Sequence, residues 1–437
     1  MQSSHSHSLG PGYGWWAVLF LSFVACADGS DDEASTSTTG GGVPWTTSTG
    51  AGGAGGTASQ GGAPQGGAGG QTSSGGSGGA GGDGGQSTST GGTGQGGMGG
   101  MGEGGMADDG QLVLMALGDS GVFAGSFTPS TGWDTETLAG DPIDPSARPA
   151  VVMRGPDDAL ALFRGDAGAL AFSTFDGLGW SMPDDVGAAI TTRAAPSVTA
   201  NAAQVFAVFQ GDDFKHYFAV YTASFNPDDE MVGNPQSFGP FPASIALASG
   251  QPIVTFAGDN HDLFDQTRTG GTWGAASPHG LANVFTTPAI VPLDQGPELL
   301  VVFNRQDSTI AFTTRTAGVW SSPADLPDAL TTDPVTLAPM AGGRAVAAFR
   351  GTNGMAYASV YDPSGAPVWS DPVGIAAAAT PTPPAVATGA GGADAELVYV
   401  STQTGSAMHS RLVSGQWSNP ASIGGSALGS VAIAARP

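Results

Sequence analysis

Reactive side chains are sparse in this 437-residue chain, and their spacing favours no particular reaction. His216, His261, His279 and His409 each stand alone, without the paired spacing by which zinc draws two ligands from one element. There is no Gly-x-Ser-x-Gly elbow and no Gly-Lys-Ser/Thr phosphate loop, and Lys215 is the sole lysine. A general base would have to come from Glu136, Glu230, Glu298 or Glu396, beside Tyr217, Tyr221, Tyr357, Tyr361 or Tyr399, but no spacing selects a pair. Asp28, Asp31, Asp32 and Glu33 lack the spaced acids and glycine of a calcium loop and read as a solvated charge run. The single cysteine, Cys26, closes the apolar run Trp15 to Ala25 and has no disulfide partner. Neither a cofactor nor a metal is implied.

The elements that would position these groups fall into three segments. Residues 27–110 hold 34 of the 73 glycines, eight acidic residues and no Lys or Arg. Such a stretch cannot bury enough apolar surface to offset its ordering entropy and reads as a disordered linker. At about 5–6 Å × √n it spans roughly 50 Å, with a stretched limit near 280 Å. Residues 111–437 form one folded unit with 29 acidic against 12 basic residues. That field repels phosphate backbones and anionic headgroups, which argues against a nucleic-acid binder or a polybasic membrane protein. In residues 1–26 the apolar run is shorter than the roughly 17–25 residues of a spanning helix and has the size of a signal-peptide core. Phe23-Val24-Ala25-Cys26 resembles the lipobox of bacterial lipoproteins, with Phe23 where Leu is usual and a leader lacking Lys and Arg. The resemblance implies lipidation at Cys26 and a place in the cell envelope, periplasmic or surface-exposed.

Periodicity decides the fold of the third segment. Trp133, Trp180, Trp273, Trp320, Trp369 and Trp417 are separated by 47, 93, 47, 49 and 48 residues. Four of them carry Trp-Ser-x-Pro, at Trp180, Trp320, Trp369 and Trp417. Val232-Gly233-Asn234-Pro235 is read as the missing member, giving seven units of about 47 residues. Two further markers keep the beat. One is a Pro before a short apolar strand, as at Pro149-Ala150-Val151 and Pro288-Ala289-Ile290. The other is an apolar run ending in an aromatic and a Gly/Asp/Asn hairpin, as from Leu160 to Phe163, Leu299 to Phe303 and Ala345 to Phe349. Asp119, Asp166, Asp212, Asp259 and Asp307 read as turn formers, the Phe residues as core and the Trp residues as wedges between units. Four short strands per unit, seven times over, predict an all-β seven-bladed β-propeller. The C-terminal strand type at Gly429–Ile433 has no successor, and the folded unit opens on a second-strand type at Leu112. The last strand should therefore complete the first blade and close the ring.

The combination of Phe-Arg-Gly-Asp/Thr-x-Gly with Gly-x-Gly-Trp-Ser-x-Pro resembles bacterial seven-bladed fucose-binding lectins and, more distantly, six-bladed fungal ones, over about 112–437. In that family sugars lie between neighbouring blades, against an aromatic ring, an Arg and an acidic residue. The resemblance implies Arg164, Arg305 and Arg350 as ligand-binding residues, with Trp180, Trp320 and Trp369. Gln210, Ala257, Ser401 and Leu117 stand at the Arg position in other repeats, so a few blades at most would carry a site. A sialidase-type propeller would show Ser-x-Asp-x-Gly-x-Thr-Trp turns, and these hairpins do not. The expectation is a monomeric, lipid-anchored binding module for a glycan or an envelope or extracellular protein, without enzyme activity. A protein–protein scaffold and a sialidase-like glycoside hydrolase are the alternatives.

Overall fold

A computed structural model describes residues 110–436 except 120, 139–142, 188–189, 231–240 and 281–282. Cys26, the Gly-rich segment and Val232 lie outside the described residues. The described strands form seven antiparallel sheets of four or five strands, as the repeat predicts. The inner strands Ala150–Gly155, Ser197–Ala200, Ser244–Ala248, Ala289–Pro292, Thr336–Met340, Ala385–Thr388 and Leu428–Ala435 touch one another in turn and return to the first. A ring of blades follows, numbered here 1 to 7 from Leu112. Among the described residues the only helical turn is Asp166–Gly168.

The second strand of a blade is pressed between both neighbours and sees water on neither face. Leu112–Gly118, Val205–Gln210, Leu299–Asn304 and Ala395–Val400 are therefore buried at every position, and their sequences are nearly unbroken apolar runs rather than alternating ones. Phe163, Phe256, Phe303 and Phe349 end such strands and are at most 2% exposed, each contributing about 1.5–3 kcal/mol by burial. Blade 1 closes as expected. Leu428–Ala435 pairs antiparallel with Leu112–Gly118, Leu114 opposite Ile433 and Leu117 opposite Ser430.

The Trp-Ser-x-Pro motif has a structural cause. The hydroxyls of Ser181, Ser321, Ser370 and Ser418 accept the backbone N–H of Thr174, Thr314, Val360 and Arg411 at 2.9–3.1 Å. Ser173, Thr313, Ser359 and Ser410 donate back to the carbonyls of the same four serines at 2.6–2.8 Å. Each clasp closes the turn that delivers a Trp to the seam with the preceding blade. Strand pairing also identifies the missing seventh member. Trp133, Trp180, Trp273, Trp320, Trp369 and Trp417 sit opposite Phe127, Phe175, Arg268, Arg315, Tyr361 and Leu412, and in blade 3 the equivalent pair is Tyr221 with Phe225. Phe225 packs edge-on against Phe172 of blade 2 at 5.1 Å, as Trp273 and Trp369 do on Phe218 and Phe312.

Candidate functional site

Three residues before each pairing partner, the third strand presents one side chain to the next blade. In chain order these are Ala124, Phe172, Phe218, Asp265, Phe312, Ala358 and His409. Most make an apolar seam: Trp273 meets Phe218 edge-on at 5.1 Å, and Trp369 meets Phe312 at 5.6 Å. Two seams are polar. Between blades 4 and 5, His279 bonds Asp265 at 2.8 Å and abuts Trp320 at 4.7 Å.

The seam between blades 7 and 1 is the richest. Glu396 lies in the second strand of blade 7, directly opposite Arg411 of the third strand. His409, two residues before Arg411, shares its face because strand side chains repeat every second residue. Glu396 is fully buried and accepts Arg411 Nε at 3.1 Å, His409 Nε2 at 2.9 Å and the Ala390 N–H at 3.1 Å. Arg411 Nη2 also donates to the Ala390 carbonyl. From blade 1, Trp133 Nε1 donates to His409 Nδ1 at 3.1 Å. An indole can only donate, so Nδ1 accepts and the His409 proton sits on Nε2, facing Glu396. Phe127 completes the group, 5.2 Å from Trp133 and under the Arg411 guanidinium at 5.5 Å. The carboxylate is saturated, whereas the Arg411 side chain is 26% exposed and its Nη1 has no partner among the described residues. An oriented guanidinium edge joined through the Phe127 ring to a half-buried indole suits a ligand that offers hydroxyl oxygens and an apolar ring face.

The residues expected from sequence occupy other places. Arg164 Nε donates to the Thr192 carbonyl at 2.8 Å and Nη1 binds Asp144; Arg350 Nε donates to the Thr380 carbonyl at 2.8 Å and Nη1 binds Asp333 at 3.0 Å. Both tie the approach to their blade's inner strand to the crossover leaving it. Burial pushes the Asp144 carboxyl up, but hydrogen bonds from Ser146 and the Arg164 charge outweigh it and hold the group below the usual carboxylate range. Gly168, at φ +85°, lets the hairpin turn under Arg164, where a Cβ would stand 3.5 Å from Nη2. In blade 5 the equivalent of Arg164 is Asn304, whose Nδ2 donates to the Thr331 carbonyl at 3.3 Å. Arg305 is one residue further on, bridging to Val284 as Gly165 does to Ile143, with its guanidinium on Asp325 at the surface. Trp369 is 1% exposed against Phe312 and Tyr361, Trp180 is 7% exposed with its backbone N–H on Glu136 of blade 1, and Trp320 is half-buried. Among the described residues no cation–ring contact joins these three tryptophans to the three arginines.

Sequence spacing does not bring Glu396, Arg411 and Trp133 together, although a signal exists. Glu396 is the one charge in the run Ala395 to Val400, and His409 and Arg411 alternate on the strand that pairs with it.

Among solved structures, the chain is similar to the BP39L lectin from Burkholderia pseudomallei. The TM-score is 0.60 at 17% identity, over 72% of this chain and 96% of that one. It is also similar to a point mutant of the Aleuria aurantia lectin in complex with Fucα1-6GlcNAc, with TM-score 0.50 and 14% identity, over 65% of this chain and 97% of that one. At these identities the likeness establishes the propeller fold. No protein-family model and no curated protein sequence matches the chain.

Proposed function

We propose that this protein is a glycan-binding propeller held at a bacterial cell envelope by a lipid on Cys26 and the 27–110 tether. The observation that carries the reading is the seam between blades 7 and 1. There a buried acid fixes an accessible guanidinium on a ring cluster that includes an indole from the neighbouring blade. Similarity to lectins, one of them solved with a fucosylated disaccharide, supports the same ligand class. Arg411 Nη1 would donate to sugar hydroxyls, and Trp133 would take the apolar face of the ring. Arg305, which reaches solvent with Asp325, is proposed as a further contact on blade 5.

A glycan array probed with the full chain tests this at a surface density that allows avidity. Fucosylated or other neutral glycans should be retained, and Arg411→Met, by loss of a charge-assisted hydrogen bond, or Trp133→Ala, by loss of the ring-face contact, should weaken them at least about tenfold. A silent array, or signal unchanged in both variants, removes the reading. The anchor is tested by metabolic labelling with a palmitate analogue, and label that persists on Cys26→Ala rejects it.

A further inference from the structure

On the propeller axis, at the end where the inner strands begin, these strands line an open cavity of about 640 Å³. Small-ligand pockets run roughly 300–1,000 Å³, so the space suits a small organic molecule. Its walls include Val151, Val198, Ile245, Ile290, Val335 and Ile433, branched aliphatics from six different blades.

Charge in this cavity is unevenly matched. Asp144 and Asp333 line it, but Arg164 takes the first, with help from Ser146, and Arg350 takes the second. Arg148 also lines it, directly before Pro149, and its Nε donates to the Val431 carbonyl at 3.1 Å. Among the described residues, no carboxylate forms an ion pair with Arg148 or with Arg193, another lining residue. Arg193 bonds the Asp212 carbonyl at 3.3 Å and lies 3.7 Å from the Phe214 ring centroid. In a chain of net charge −25 the axis is thus a positive island in an aliphatic wall. Burial holds the Arg148 guanidinium down at about 10, because it has lost water without gaining an anion.

We propose that the axial cavity binds an organic carboxylate with an apolar body, the carboxylate on Arg148 and the body against the aliphatic wall. Site and chemistry both differ from the seam between blades 7 and 1. That seam offers donors to neutral hydroxyls, whereas the axis offers a positive charge with no carboxylate to balance it.

Phenylacetate titrated calorimetrically into the full chain should bind saturably at one per protein. Phenylacetamide, its neutral analogue, should bind at least about tenfold more weakly, since the charge-assisted pairing is lost. Arg148→Met, which keeps the apolar stem, should lose phenylacetate by the same factor. Because it also removes the tie to Val431, Ser244→Trp serves as a second variant. It leaves Arg148 in place, fills the cavity from blade 4, and should abolish binding with the fold intact by circular dichroism. Arg411→Met should leave phenylacetate binding unchanged, which separates this outcome from any failure of glycan binding. Absent phenylacetate binding, equal binding of the amide, or retention in both Arg148→Met and Ser244→Trp overturns the proposal.

Discussion

Where blade 5 meets blade 6, Phe312 lies 5.6 Å from Trp369 and Tyr361 5.3 Å from it, and Trp369 is all but excluded from solvent. Where blade 7 meets blade 1, the same slot holds His409, the facing indole is half-buried, and Glu396 and Arg411 stand behind it. Both tryptophans reach their seams from the chain that follows the third strand, Trp133 within the outer strand and Trp369 just before it, yet one seam is a hydrophobic wedge and the other a hydrogen-bonded chain. A buried ion pair gains little stability over a well-packed apolar replacement, because desolvation opposes the attraction. The apolar seam therefore marks what the ring needs in order to stand, and the polar one marks a place where stability alone does not explain the residues.

The two seams should break in different ways. The largest effects come from Glu396→Ala and Trp369→Ala, each expected to cost about 3–5 kcal/mol in denaturant unfolding. Glu396→Ala strands Arg411 and His409 without their acceptor, and should also abolish glycan retention. Trp369→Ala leaves a cavity, and should spare retention wherever the variant stays folded. If Glu396→Ala costs no more than a surface substitution, the polar seam is not the buried network described.

His216 supplies a third case, a histidine in an apolar seam with no carboxylate beside it. Its ring lies tilted against Phe256 at 5.0 Å, and burial pushes its pKa down to about 4 despite a hydrogen bond to the Phe241 backbone. The unfolded chain takes up this proton near pH 6.5 and the folded one only near 4, so the stability it contributes above pH 6.5 is lost as pH falls towards 4. About 3 kcal/mol should disappear across that window. His216→Leu should flatten the pH profile there, and an equally steep profile in the variant would assign the loss to other groups.

The smallest effect should be the same in blades 6 and 7. Ser370→Ala and Ser418→Ala each remove one serine clasp, for about 1 kcal/mol apiece, with glycan retention unchanged. A loss of retention in Ser418→Ala alone would show that the clasp also positions Arg411.

The architecture was legible because period, hairpins and ring closure are all local patterns along the chain. Blade number, strand order and the partner of Leu112 could be read from spacing alone. The site was harder for a physical reason: its members come from strands far apart in sequence. Trp133 and His409 are separated by 276 residues, and nothing local to either announces the other. Motif letters also slip where pairing does not. Arg305 looks like Arg164 by neighbourhood, but the register gives that role to Asn304. The conspicuous Arg of Phe-Arg-Gly proved to be tied to an Asp and a carbonyl, whereas Glu396, seen only as one of four scattered carboxylates, anchors the candidate site.

The joining of the two ends of the folded unit in blade 1 also sets a clock. Leu112 and its partner Ala435 lie 323 residues apart, and Leu112 is made first. At roughly 5–20 residues per second, on the order of tens of seconds pass between them. Throughout that interval Leu112-Val113-Leu114-Met115, fully hidden in the finished ring, has an unpaired edge. An unpaired apolar edge is a template for aggregation, so a chain ending before Leu428 should accumulate in the insoluble fraction.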